Sequence, residues 1–132
     1  MKLFIYTFLF LLSISLNAQK IEIKEVFYGY RFYQDGKKLD RNELKETLGI
    51  NSEAYQMIKK GRKNLITAIF INHIGSFLFG WSLGTSLSEN INTNWAPGIP
   101  GGIAMIVSFP IVSKADKKIK KGIELYNSDF TN

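Results

Sequence analysis

The sequence predicts a mainly α membrane protein: a signal peptide, a short α/β polar module, a two-helix transmembrane hairpin and a basic amphipathic C-terminal helix. Three observations predict it. The 132 residues carry 17 Lys or Arg against 11 Asp or Glu, a formal net charge of +6, yet from Asn64 to Ser113 the only charged side chain is Glu89. A Leu/Phe/Ile run directly follows Met1 and Lys2, and a lysine-rich segment directly follows the uncharged middle. The length allows one ordinary domain at most. With no Cys, the chain has no disulfide, thiolate metal ligand, cysteine nucleophile or cysteine-linked lipid.

Residues 1–19 have the anatomy of an export signal. Lys2 supplies the basic start, Leu3 to Leu12 an apolar core of roughly ten residues, and Ala18 a small residue before the mature chain. That core is short for a bilayer span, which takes about 20 residues. The ending Ser15-Leu16-Asn17-Ala18-Gln19 resembles the export signals common in Bacteroidetes-type bacteria, where a Gln often stands beside the cleavage point. The resemblance implies export and nothing about activity.

The module spans 20–63. Ile21, Ile23 and Val26 interleave with Glu22, Lys24 and Glu25, and an aromatic run from Phe27 to Tyr33 follows, a pattern that predicts strand. Asp35-Gly36 favours positive φ and predicts a reversal, hence a short hairpin. Asp40 stands three residues before Glu43, the spacing of a capping box. Leu44, Leu48 and the closing Gly49 complete a helix of about nine residues. Asn51 or Ser52 caps a second helix that continues through Lys59-Lys60-Gly61-Arg62-Lys63 into the apolar stretch. A stacking surface for nucleic acid is set aside, because a module this small needs its aromatics to fold.

The hairpin occupies 64–113. Leu65 to Leu87 and Trp95 to Ser113 are charge-free runs of 23 and 19 residues. As helices they would measure about 34 and 28 Å at 1.5 Å per residue, close to a hydrocarbon core. The polar connector Ser88 to Asn94 makes them antiparallel neighbours. Small residues recur every fourth position in the first span: Ala68, Ser76, Gly80, Gly84 and Ser88, with Asn72 on the same stripe. Gly98, Gly102, Ala104 and Ser108 offer a partner groove. Helices in lipid associate through such close approach, so Asn72, Ser76, Gly80, Gly84, Gly98 and Gly102 are the expected packing residues. The pattern resembles the glycine-zipper hairpins of several membrane protein groups. Taken with the leader, the whole chain resembles small exported membrane proteins of Bacteroidetes-type bacteria. Pro110 should kink or end the second span.

His73 is the only His, and neither span contains Asp or Glu, so no metal, cofactor or catalytic constellation is expected and the chain does not read as an enzyme. The tail, 114–132, places Lys117, Lys118, Lys120 and Lys121 beside Ala115, Ile119 and Ile123. It reads as a basic helix on a membrane surface. One conflict stands: a cleaved signal puts both basic runs outside, whereas the positive-inside rule puts them inside. The functional expectation is an integral protein of a bacterial cell envelope that meets the bilayer, itself or a larger complex by helix association. A pore or transport component is the alternative.

Overall fold

The structure, a computed structural model, describes residues 20–27, 29–88 and 94–130. The expected signal segment and Glu89 of the connector lie outside the described residues. The described residues divide into two compact units, one made of those up to Lys59 together with those from Lys118 onward, the other of those within Lys60–Lys117.

In the first unit, β1 (Ile21–Val26), β2 (Gly29–Gln34) and β3 (Lys37–Leu39) form an antiparallel meander in the order β1-β2-β3. The Asp35-Gly36 turn forms as expected, with φ of 55° and 73°. Positive φ at both central residues matches the twist of the flanking strands. An additional reversal divides the aromatic run, because Gly29 adopts a φ of 135° and pairs with Val26. Ile23, Phe32 and Leu39 then stand opposite one another across the three strands. On the other face, Lys24 Nζ lies 4.7 Å from the centre of the Tyr33 ring, a diagonal cross-strand pair.

Helix α1 (Arg41–Leu48) starts at Asp40, whose carboxylate accepts from the backbone N–H of Asn42 (2.7 Å) and Glu43 (2.8 Å). Glu43 returns the favour by accepting from Asp40 N at 2.9 Å, closing the capping box. Leu44 and Leu48 on its inner face are buried. Ser52 caps α2 (Glu53–Ser86) by accepting from Tyr55 N at 3.1 Å.

Helix α3 (Gly98–Ser128) does not end at Pro110, one of the two outcomes expected there, but carries the proline inside a single helix that continues into the tail. Pro110 is exposed, and the loss of a single N–H donor leaves the other turns of the ladder in place. In the first unit the last turns of α3 supply Ile119 and Ile123, buried along with Ile21, Phe32, Leu44, Leu48, Ala54 and Ile58. Asn127 clasps the edge of the sheet there. Its Oδ1 accepts from Ile21 N and its Nδ2 donates to Ile21 O, both at 2.9 Å, so one side chain replaces a missing strand partner.

Candidate functional site: the helical hairpin

The second unit pairs residues 60–86 of α2 with residues 98–117 of α3. Its helices approach through glycine. A Cβ added to Gly75 would lie 2.7 Å from the Gly101 carbonyl oxygen, and one added to Gly101 would lie 2.7 Å from the Gly75 carbonyl oxygen. At Gly98 a Cβ would meet the Ser82 side chain at 2.7 Å. Backbone thus packs on backbone, as small residues allow where no hydrophobic force between helices is available.

The buried seam has a period of seven. On α2 it is Gly61, Ala68, Gly75 and Ser82, and on α3 Gly101, Ser108 and Ala115, all buried. A seven-residue step turns a straight α-helix by only about 20° from its starting face, which slight supercoiling absorbs. A four-residue step turns it by about 40°, so five steps carry the stripe to the opposite side. The expected stripe behaves in that way. Ala68 is fully buried, Asn72 half-buried, and Ser76, Gly80, Gly84 and Ser88 are exposed. Nothing lies within 4 Å of a Cβ added to Gly80 or Gly84. Of the expected packing residues, Gly98 enters the helix contact and Gly102 lies beside it, 3.4 Å from Phe79 Cδ2 when given a Cβ. Gly61, Gly75, Ser82 and Gly101 were missed, although the seven-residue spacing was present in the sequence as a signal.

The outward surface is apolar. Phe70, Phe77, Ile106 and Phe109 are each about two-thirds exposed, at 65%, 66%, 69% and 67%. Phe77 and Trp81 meet edge to face at 6.0 Å, as do Phe79 and Trp95 at 6.3 Å. Both helices are long and apolar enough to cross a membrane, and only 17% and 22% of their most apolar stretches is buried. The core helix of a water-soluble protein would be covered over most of that length.

Several hydroxyls of the hairpin donate to the preceding turn of their own helix. Thr67 donates to Lys63 O (3.0 Å), Thr85 to Trp81 O (3.1 Å), Ser86 to Ser82 O (2.7 Å) and Ser108 to Met105 O (2.6 Å). Ser76 donates to Asn72 Oδ1 at 3.1 Å, and His73 Nδ1, when protonated, donates to Ile69 O at 2.7 Å. A hydroxyl that returns its proton to the preceding turn needs no water.

Lys117 and Lys121 are exposed and Lys118 is half-buried, while Lys120 pairs with Glu25 at 2.7 Å. The first unit also holds an open cleft of about 360 Å³ lined by Gln34, Asp35, Lys37, Leu39, Glu43, Glu46 and Thr47. There Lys37 donates to Glu43 at 2.6 Å. That bond holds the Glu43 carboxyl below the usual carboxylate range and the Lys37 ammonium above its own. Burial pushes the Tyr126 hydroxyl up, against a weaker opposing hydrogen bond from Gln34. Among the described residues no three His, Asp or Glu side chains gather to hold a metal. Comparison with known proteins finds no matching family, no similar curated sequence and no similar solved structure.

Proposed function

We propose that the chain is a small integral protein of the cell envelope that works by helix association, with itself or within a larger envelope complex, as a structural or accessory component. The observation that carries this reading is the uncovered apolar length of both helices. Water would penalise such a surface at about 25 cal/mol per Å², whereas acyl chains accept it. The outward position of Gly80 and Gly84 supports the second half of the reading. Each glycine costs a helix interior up to about 1 kcal/mol, and the contact between α2 and α3 uses neither.

Replacing both Gly80 and Gly84 with Leu should abolish crosslinked oligomers in membranes while leaving the hairpin folded. Unchanged crosslinking would remove the association claim. The pore reading has less support, because the polar groups that would line a path, Asn72, Ser76 and His73, are engaged with each other or with their own helix. Steady conductance from reconstituted bilayers would favour it instead.

A further inference from the structure

Among its described residues, the second unit carries its charge at one end. Within it, Lys60, Arg62 and Lys63 precede the charge-free length of α2, and Lys114 and Lys117 follow that of α3, with Asp116 the one acid among them. The Gly75–Gly101 approach sets the two groups at one level. Fifteen residues back from Gly75 is Lys60 and fifteen on from Gly101 is Asp116, about 22 Å along either helix at 1.5 Å per residue. Lys60, Lys63, Lys114 and Lys117 are exposed and Arg62 is half-buried. From this collar the charge-free helix runs for residues 64–86 on α2 and 98–113 on α3, about 34 and 24 Å, lengths that bracket a hydrocarbon core of about 30 Å.

Resting on the membrane reading above, we propose that this five-cation collar is a binding surface for the headgroups of anionic phospholipids, which it gathers around the hairpin and which fix its depth. Long basic side chains at the boundary of an apolar helix extend toward the headgroup layer, and their ammonium and guanidinium groups meet lipid phosphates there. The collar needs only an anionic leaflet, so the assignment holds whichever way the hairpin crosses. It differs from a surface made by the tail, since four of its five cations lie before Lys117 in the chain and three belong to α2.

The test is native mass spectrometry of the full chain released from bilayers of equal phosphatidylglycerol and phosphatidylcholine, counting the lipids retained. The expected result is about tenfold retention of phosphatidylglycerol over phosphatidylcholine, weakened by sodium chloride and weakened no further by inorganic phosphate at the same ionic strength. In a variant with Lys60, Lys63, Lys114 and Lys117 changed to Gln the ratio should fall to about one, and Lys→Arg at the same four positions should restore it. Lys38→Gln, an exposed change in the other unit, should leave it unaltered. Equal retention of the two lipids by the wild type, or a preference that survives the four Gln changes, would overturn the proposal. Displacement by phosphate beyond the salt effect would also overturn it, by assigning the collar to a free anion. A chain that fails to enter these bilayers at all would refute the membrane reading instead.

Discussion

The two units solve the same packing problem with different chemistry. The first has the hallmarks of a fold built in water: a capped helix, a tight turn with positive φ at both positions, and a small core of Ile, Leu and Phe side chains. An asparagine closes its sheet edge over a sequence separation of 106 residues. The second has only small residues along its seven-residue seam, and Phe70, Phe77, Ile106 and Phe109 are largely exposed. A core of small residues inside an apolar coat stabilises little in water. In acyl chains it is the favourable arrangement, because close backbone approach is what lipid cannot replace.

The contrast breaks most severely at the seam. Gly101→Leu forces a side chain against the Gly75 carbonyl and Phe79 N, backbone atoms that cannot swing aside. It should cost about 3 kcal/mol or more and collapse thermal unfolding of the detergent-solubilised chain followed by circular dichroism. Gly84→Leu, with open space around it, should leave that transition within about 0.5 kcal/mol of wild type.

A smaller effect is expected where a polar clasp does the holding. Asn127→Ala removes two hydrogen bonds to Ile21 and should cost about 2 kcal/mol. Amide hydrogen exchange should quicken in β1 while residues of the hairpin keep their protection. Equal loss of protection in both units would deny that they are separately stabilised.

Next comes the helix cap. Asp40→Ala opens the capping box and should cost about 1 kcal/mol, read as faster proteolysis within Arg41–Leu48.

The smallest effect belongs to the exposed Lys37–Glu43 pair. Because the folded Glu43 pKa lies below its unfolded value, its contribution is fully present above ordinary carboxylate pKa values and is lost as pH falls through the depressed one. The raised Lys37 pKa works in the opposite sense, its contribution being lost only as pH rises through the elevated value. An NMR titration of the Glu43 carboxyl should move back toward the usual range in Lys37→Gln. A midpoint that did not move would assign the shift to the Asp40 backbone bond alone.

Much of the first unit could be read from short-range patterns, for Asp40 with Glu43, Asp35 with Gly36, and Ser52 act within a few residues of themselves. The reversal at Gly29 was hidden, because the aromatics around it favour strand on both sides. No local pattern announces that Asn127 returns to Ile21. In the hairpin the two apolar lengths were legible from the missing charges, whereas the contact between α2 and α3 follows a seven-residue spacing and not the four-residue stripe. Small residues occur at both spacings, and only the slower drift of the seven-residue repeat keeps Gly61, Ala68, Gly75 and Ser82 on one face. Pro110 was expected to kink or end the span because a proline costs a soluble helix about 3 kcal/mol, and α3 continues through it with the ring exposed.

Alkaline carbonate extraction of membranes from cells making the full chain addresses the residence of the hairpin most directly. Peripheral proteins are stripped by this treatment, and helices embedded in acyl chains are not. The account predicts that the chain stays with the membrane pellet and leaves it only in detergent. Recovery in the aqueous supernatant as a detergent-free soluble protein would contradict it.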